Sequence, residues 1–325
     1  MQQPQLDVLL ATYNGELYLE QQIDSILNQD YPNLRLLVSD DGSSDGTVTL
    51  LKQYAGRFPD RVHLLEESRR TGHPKRNFLR LMTASTADYV CFSDQDDVWL
   101  EDKVSVTMEA MQRLEDRHGR TTPALVFTDL RVVDERLETL SHSYWKRAGI
   151  DAQNIHLLPR LLCENVVTGC TVMINRSLCD LAVQMPEEAE MHDWWVALLA
   201  ATFGVAEMVP RATMLYRQHE SNVIGSRDQD LNPVSIASRT ISDKNRQRQR
   251  LRCEQQAEAL LRVHGEQITA EKRQILEAFL VSGRSESAFI RVKTMMQYGF
   301  FRSSLLKNIA TAIQLFRSRS ITGDS

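Results

Sequence analysis

Short apolar runs alternate with amphipathic segments along residues 6–129. The runs are rich in Val, Leu, Phe and Tyr, and they predict strands at 6–11, 34–39, 61–66, 88–93 and 124–129. In the intervening segments apolar residues recur every three or four positions, as at Leu19, Ile23, Ile26 and Leu27. That spacing predicts helices at 16–28, 46–57, 75–85 and 100–117. Alternating strands and helices predict an α/β fold, with a mostly parallel sheet flanked by helices.

The pattern changes twice farther along the chain. Residues 140–165 are irregular and polar, and we expect a flexible segment there. Strands are then predicted at 166–174, 205–209 and 212–217, and helices at 175–184 and 191–203. From about residue 235 onward the chain is helical in pattern and highly charged. This shift predicts two domains, 1–234 and a helical C-terminal extension at 235–325.

Acidic residues follow the predicted strand at 88–93. Asp94, Asp96 and Asp97 fall within residues 93–97, directly after the apolar run. Ligands of open α/β sheets bind beyond the carboxyl ends of the strands. Clustered carboxylates repel one another unless a cation offsets their charge, and hard oxygen ligands select Mg²⁺ or Mn²⁺. The acids therefore predict a metal-nucleotide site, with a solvated acidic turn as the alternative.

Two further strand ends carry polar residues. Asp40 and Asp41 follow the second strand, whereas Asp45 is placed to cap the next helix. A carboxylate beyond a strand end can accept hydrogen bonds from a base N–H or from ribose hydroxyls. Tyr13 adds an aromatic ring at the end of the first strand. We expect the three strand ends to meet at one crevice.

Residues 9–15, 38–47 and 92–99 together resemble family 2 glycosyltransferases with a GT-A fold, a Rossmann-like sheet flanked by helices. The resemblance extends over about residues 6–225. Residues 93–99, 192–195 and 216–219 are most similar to bacterial rhamnosyltransferase-type enzymes of cell-surface polysaccharide assembly. The resemblance implies an inverting, metal-dependent transferase, and it indicates roles for individual residues.

By this resemblance Asp193 is the catalytic base, although its place at a helix start also fits a cap. Metal ligands would be Asp94, Asp96 and His219, binding Mn²⁺ or Mg²⁺. The nucleotide-sugar site would comprise Ala11, Thr12, Tyr13, Asp41, Gly72, Asn77, Asp94 and Arg217. Gly169 and Trp194 would face the donor or acceptor sugar, with a plain strand turn and a core tryptophan as the structural alternatives.

The expected reaction moves a sugar from a nucleotide-diphosphate donor to a hydroxyl of a cell-surface glycan or polyprenyl-linked acceptor. Rhamnose from dTDP-rhamnose is expected from the subgroup, and a UDP-hexose donor stays open. A nucleotide-sugar-binding protein without turnover is the alternative from another class. A nucleotidyltransferase would carry a Gly-rich basic loop after the first strand, and residues 11–15 do not form one.

Charge and cysteine content bear on location. The 325 residues carry a net charge of −5, yet residues 284–319 hold seven Lys/Arg against one acid, so this stretch is +6 and the remainder −11. Apolar residues interleave with the basic ones along 286–318, which predicts either packing on the core or a helix at an anionic membrane surface.

Five cysteines without a C-x-x-C pair indicate free thiols in a reducing compartment. The N-terminus has no signal-peptide pattern, and no run of about 18 uncharged apolar residues occurs. We therefore expect a cytoplasmic protein, with peripheral contact at the inner face of the plasma membrane left open and no nucleic-acid partner.

Overall fold

The computed structural model describes residues 3–66, 70–219 and 243–317. Its strands are β1 (Leu6–Thr12), β2 (Leu34–Asp40), β3 (Val62–Leu64), β4 (Tyr89–Ser93), β5 (Val98–Trp99), β6 (Ala124–Val133), β7 (Thr139–Ser141), β8 (Val172–Asn175) and β9 (Val205–Arg217).

The helices of the first part are α1 (Leu19–Leu27), α2 (Thr47–Arg57), α3 (Pro74–Ala84), α4 (Lys103–His118), α5 (Tyr144–Ala148), α6 (Leu158–Leu161), α7 (Arg176–Ala182) and α8 (His192–Phe203). The helical extension contains α9 (Asp243–His264), α10 (Ala270–Arg284), α11 (Ala288–Tyr298) and α12 (Leu305–Arg317). Short 3-10 helices lie at Ala152–His156, Gly169–Thr171 and Gly265–Gln267.

One sheet runs through the fold in the order β3-β2-β1-β4-β8-β6-β9-β5, with β7 paired to β6. Strands β1 to β4 are parallel to their neighbours in this group, and β6 is parallel to β9. Strand β8 runs antiparallel to β4 and β6, and β5 and β7 are antiparallel to their partners. The α/β fold class is confirmed, in the form of a mixed sheet flanked by helices.

Side chains alternate between the two faces of the sheet, as the period of a strand requires. Leu9 and Phe92 enter a core with α3 and α8, whereas Val8 and Cys91 enter a second core with α1 and α4. Both faces are therefore covered, which explains why these strands read as continuous apolar runs.

The three predicted strand ends lie side by side. Leu10 pairs with Val38 of β2 and with Ser93 of β4, so β1, β2 and β4 end at the same edge of the sheet. The expected convergence of the three strand ends is thus present.

Three predicted elements were wrong. The strands predicted at 205–209 and 212–217 are one continuous strand, β9. Residues 210 and 211 lie in a register shift against β6, where Pro210, which has no N–H to donate, is tolerated. The predicted strand at 166–174 begins only at Val172, because Thr171 bonds back to Thr168 in a 3-10 turn. The segment 140–165 is not a polar flexible stretch. It contains α5, a 3-10 helix and α6, which bury Trp145, Ile155, Leu158 and Leu161.

The helical extension packs on the first part through Met295, Phe300 and Leu315, which are buried. The predicted domain boundary at 234/235 lies outside the described residues. Several basic side chains of the extension have partners within the fold. Arg284 pairs with Glu254 and Glu258, Arg291 donates to the Leu315 carbonyl, and Arg302 and Lys307 both bind Glu164.

Other apolar side chains of α11 and α12 are exposed, among them Phe289, Met296, Leu305, Leu306 and Phe316. Within the part of the chain that the structure describes, no helix combines the length and apolar character needed to cross a bilayer.

Candidate active site

The acids after β4 form the centre of the site. Asp97 is fully buried, and Asp94 and Asp96 are partly buried. Burial raises the pKa of the Asp94 carboxyl, and the charges of Asp96 and Asp193 raise it further. Asp193 therefore lies within electrostatic reach of Asp94, as a base opposite the diphosphate site would require. Several carboxylates thus lie close together at this point, which favours a cation.

His219 lies beside these acids. Its Nε2 atom is 2.8 Å from the Oδ2 atom of Asp96, and its ring packs against Tyr18 with centroids 5.1 Å apart. Carboxylate oxygens and an imidazole nitrogen form a donor set that suits Mn²⁺. The predicted metal ligands Asp96 and His219 are thus in direct contact, whereas the ligand atoms of Asp94 group with those of Asp97 and Cys170, all within 4.8 Å of one another.

Asp97 ties two neighbouring segments to this loop. Its Oδ1 atom accepts from the Arg217 N–H at 3.2 Å, and the Cys170 thiol also bonds to this carboxylate. Burial, followed by the charges of Asp96 and Asp94, raises the pKa of Asp97 well above its ordinary value. Among the described residues its Oδ2 atom has no partner.

Arg217 does not fit the expected role of a diphosphate ligand, and we correct that prediction. The side chain is only 2% exposed. It donates to the carbonyl oxygens of Asp96 and Glu135 and to the Gln21 side chain, and it lies 4.4 Å from the Tyr18 ring centre. A guanidinium with this many protein acceptors holds the loops together and has little left to offer a ligand.

The end of β2 meets the loop at residues 70–73. Asp41 accepts from the backbone N–H groups of Thr71 at 2.5 Å and Gly72 at 2.8 Å. Gly72 has a φ of +70°, which favours glycine. Asp40 is used locally, since it accepts from the hydroxyls of Thr12 and Ser43. Asp41 and Gly72 therefore border the same crevice.

Tyr13 is 42% exposed, so one face is open to a ligand. Gln95 holds its backbone, because Oε1 accepts from the Tyr13 N–H at 2.8 Å and Nε2 donates to the Tyr13 carbonyl at 3.0 Å. The Arg70 guanidinium lies 4.5 Å from the ring centre. Ala11 pairs with Ser39, whose carbonyl accepts from Asn77 Nδ2 at 2.8 Å. These contacts bring the predicted nucleotide residues to one edge.

Asp193 lies in the first turn of α8 and is 7% exposed. Burial raises the pKa of its carboxyl to about 6, although hydrogen bonds from the Trp194 N–H, the Asn165 side chain and the Gly169 N–H oppose this shift. A carboxylate with this pKa is ionised at neutral pH and is a stronger base than an ordinary aspartate.

Gly169 lies directly against α8. A Cβ atom there would be 2.9 Å from His192 Nε2 and 3.4 Å from the Asp193 Cβ. The His192 ring is stacked on Phe78 at 3.9 Å and meets Phe92 edge-on, so it has no room to withdraw. A side chain larger than that of glycine at this position would therefore displace His192, the neighbour of Asp193.

Trp194 lies in the core, which corrects the prediction that it faces the donor or acceptor sugar. It is buried, and its indole N–H donates to the Leu161 carbonyl at 2.7 Å. The ring belongs to the core between α6 and α8.

Two residues with clear positions in the site were missed. Gln95 lies in the acidic motif, but only its hydrogen bonds to the distant Tyr13 backbone show that it holds Tyr13 in place. Asn165 falls in the segment predicted to be flexible, and nothing in its surrounding sequence indicates the bond to Asp193. Both contacts depend on folding that joins distant segments.

Comparison with known proteins identifies the domain. Residues 7–129 match the model of "Glycosyl transferase family 2". The dTDP-rhamnosyl transferase RfbG of Shigella flexneri is 28% identical over 228 residues, covering 67% of this chain and 74% of that protein. TuaG of Bacillus subtilis, a glycosyltransferase named for teichuronic acid biosynthesis, is 28% identical over 62% of this chain and 74% of its own length.

Solved structures share the fold. TarS 1-349 of S. aureus, in complex with UDP-GlcNAc, superposes with a TM-score of 0.55 at 17% identity, covering 96% of this chain and 89% of that one. This chain spans 54% of a longer S. aureus TarS chain. The mannosyltransferase PcManGT of Pyrobaculum calidifontis, in complex with GDP-Man and Mn²⁺, gives 0.52 at 20% identity, covering 97% and 88%. The family model and these relatives agree: residues 7–129 form a family 2 glycosyltransferase domain, and the chain has the GT-A fold.

Proposed function

We propose that the protein is an inverting, metal-dependent glycosyltransferase, in which Asp193 activates an acceptor hydroxyl opposite a nucleotide-diphosphate sugar held near Asp94 and Asp96. One observation carries this proposal, namely that Gly169 and Cys170, which are neighbours in the chain, reach both groups. A Cβ atom at Gly169 would be 3.4 Å from the Asp193 Cβ, and the Cys170 Sγ atom lies within 4.8 Å of a carboxylate oxygen of Asp94. The proposed base and the proposed diphosphate site therefore border the same short turn. Attack from one side with departure from the other inverts the anomeric carbon.

Asp94, Asp96 and His219 would hold Mn²⁺ or Mg²⁺. The bound ion would offset the negative charge of the leaving nucleoside diphosphate. Burial and the charges of Asp96 and Asp193 raise the pKa of Asp94, and a bound cation would favour its ionised form, which supports this assignment. A similar fold, that of PcManGT, has been solved with Mn²⁺ and GDP-Man.

The nucleotide would lie along the ends of β1 and β2. The exposed Tyr13 ring is suited to stack on the base, and the Asp41 carboxylate to accept from a base N–H. Ala11, Thr12, Gly72 and Asn77 border the same edge. Gly169, which lies against His192 and Asp193, would border the donor sugar.

Asp193 would accept the proton of the acceptor hydroxyl as its oxygen attacks the sugar. The hydrogen bonds from Asn165, Gly169 and Trp194 stabilise its ionised form, so it is ready to act at neutral pH. General bases of this kind contribute about 10²- to 10⁴-fold to the rate.

The proposed donor is dTDP-rhamnose, and the proposed acceptor is a cell-surface glycan or a polyprenyl-linked precursor. The resemblance at residues 93–99 and 192–195 supports the donor, as does the name of the relative RfbG. The TarS complex with UDP-GlcNAc keeps a UDP-hexose as the second candidate.

An assay of Asp193→Asn separates the enzyme from a binding protein. We expect the wild type to transfer sugar from dTDP-rhamnose with Mn²⁺, and the variant to lose transfer by about 10²-fold or more with unchanged nucleotide-sugar affinity. UDP-GlcNAc in a parallel assay tests the donor. Full transfer by the variant would refute the role of Asp193, and no transfer by the wild type on any acceptor would favour a binding protein.

We also propose peripheral membrane contact through α11 and α12. Leu305 and Leu306 are 74% and 76% exposed on one of the last helices, and Phe289 is 72% exposed. An apolar face of this kind inserts at the headgroup boundary of a bilayer, and would bring a cytoplasmic enzyme to a lipid-linked acceptor.

Co-sedimentation with phosphatidylglycerol vesicles tests the membrane proposal. The double variant Leu305→Glu with Leu306→Glu should lose binding, whereas Leu251→Glu, at an exposed leucine of α9, should retain it. Equal sedimentation of the double variant and the wild type would remove the proposal.

A further inference from the structure

The helical extension binds Glu164, a residue of the first part of the chain. Glu164 accepts from the Ser303 N–H at 2.7 Å, from Lys307 Nζ at 2.8 Å and from the Arg302 guanidinium at 3.4 Å. Burial alone would raise the pKa of Glu164, yet the contacts with Lys307, Ser303 and Arg302 hold it below its ordinary value. The carboxylate is therefore ionised and fixed by three groups of the extension.

The next residue touches the proposed base. Asn165 begins a short loop in which its Oδ1 atom accepts from the Val167 N–H at 3.0 Å. The loop ends at Gly169, where a Cβ atom would be 3.4 Å from the Asp193 Cβ, and hydrogen bonding from the Asn165 side chain lowers the pKa of Asp193. One peptide unit thus separates the residue gripped by the extension from the residue that orients Asp193.

Other contacts strengthen the same junction. Arg160 donates to the Arg302 carbonyl at 3.2 Å, and its guanidinium lies 5.3 Å from the Phe301 ring centre. The Asp151 N–H donates to the Ser303 hydroxyl at 3.4 Å. Residues 301–303 are therefore joined to the segment 151–164 at several points, which limits its movement relative to the extension.

We propose that the helical extension positions the catalytic base: Ser303, Lys307 and Arg302 clamp Glu164, and the clamp fixes Asn165 against Asp193. Glu164 and Asn165 are positioning residues in this arrangement, and Asp193 alone meets the acceptor. The inference rests on the proposed role of Asp193 and assigns to the extension a function in the transfer step.

The energetics separate positioning from simple stabilisation. The Lys307 side chain is 34% exposed, and ion pairs of such residues contribute little to stability, so Lys307→Met should shift Tm by no more than about 3 °C. A misplacement of a catalytic group by about 1 Å can lower the rate by about 100-fold. Loss of the clamp should therefore reduce kcat far more than it reduces stability.

Four full-length variants test this. We would compare Glu164→Gln, Asn165→Ala, Lys307→Met and the double variant Glu164→Gln with Lys307→Met. Glu258→Gln is the matched control, because Glu258 pairs with Arg284 inside the extension. For each protein we would measure kcat, the donor KM, Tm and the pH dependence of kcat/KM.

The proposal expects kcat to fall about 10-fold in Glu164→Gln and Asn165→Ala, with donor KM within about twofold. Because the Asn165 bond stabilises ionised Asp193, its loss should also move the acidic limb of the pH profile to higher pH. The double variant should resemble Glu164→Gln, since both substitutions break one clamp. Glu258→Gln should match the wild type.

The outcomes distinguish the two proposals. If Asp193→Asn abolishes transfer while Glu164→Gln and Asn165→Ala keep the wild-type kcat and pH limb, the positioning role is refuted and the base stands. If kcat and Tm fall together and the limb does not move, the clamp is structural only, which also refutes the inference. If Asp193→Asn transfers sugar normally, the proposed function itself fails.

Discussion

His219 Nε2 lies 2.8 Å from Asp96 Oδ2, although 123 positions separate the two residues in the chain. The contact exists because β9 ends where the loop after β4 turns, and Arg217 fixes both by donating to the Asp96 carbonyl. An imidazole and a carboxylate at this distance can share one divalent ion, so the pair is the most direct structural support for a metal site.

His219→Gln should weaken metal binding. We expect the Mn²⁺ concentration needed for half-maximal transfer to rise about tenfold, because loss of a ligand or of its supporting partner usually costs this much. Calorimetric titration of Mn²⁺ in the presence of dTDP gives the affinity directly. His118→Gln, at an exposed histidine of α4, is the control. Identical Mn²⁺ affinity in the two variants would remove His219 from the ligand set.

The fold and the acidic cluster could be predicted because both depend on local pattern. Apolar runs identify β1, β2 and β4, and parallel strands of one sheet end at a common edge. Once β2 and β4 were recognised, Asp41 and Asp94 were expected at the same edge of the sheet. The resemblance then added Asp193, which no periodicity separates from an ordinary helix cap.

The remaining features depend on contacts that the local pattern does not contain. Arg217 and Trp194 have residue types that suit ligand binding, yet in the fold each is consumed by protein acceptors. Asn165 lies in a stretch whose polar residues indicate a loop. Apolar residues scattered along this stretch pack against α8 and are buried. Tertiary packing decides such cases, and composition alone does not reveal it.

Arg217→Lys should destabilise the fold. The guanidinium is buried and serves several acceptors, and a lysine ammonium does not reproduce its fork. We expect the free energy of unfolding to fall by about 3 kcal/mol, the usual cost of leaving buried partners unsatisfied. Urea denaturation measures this, with Arg211→Lys, at an exposed ion pair, as the control. A variant of wild-type stability but raised donor KM would restore the diphosphate role.

Gly169→Ala should impair catalysis. The added methyl group would meet His192, which is wedged between Phe78 and Phe92, so the strain is transmitted to Asp193. We expect kcat to fall about 10- to 100-fold. Gly56→Ala is the matched control, because its Cβ meets open space on a helix and should stabilise the protein by about 0.5–1 kcal/mol. Unchanged kcat in Gly169→Ala would show that the close contact between Gly169 and α8 does not constrain Asp193.

The pH dependence follows from the pKa of Asp193. Burial raises this pKa to about 6, and the base must be ionised to accept a proton. Below pH 6 we therefore expect kcat/KM to fall about tenfold per pH unit. Folded Asp193 binds its proton more tightly than the unfolded chain does, so its contribution makes stability decrease as pH rises from about 4 to 6.

Asp193→Asn removes that contribution, and the slope of its unfolding free energy against pH should become less negative over this window. Because the pKa of Asp94 is also raised, the activity profile must be recorded at saturating Mn²⁺, with Mn²⁺ affinity measured at each pH. If the acidic limb of the profile follows metal occupancy, it reports protonation of the ligand carboxylates. If it persists at full occupancy, it belongs to Asp193, and a flat profile between pH 5 and 8 would contradict a buried aspartate base.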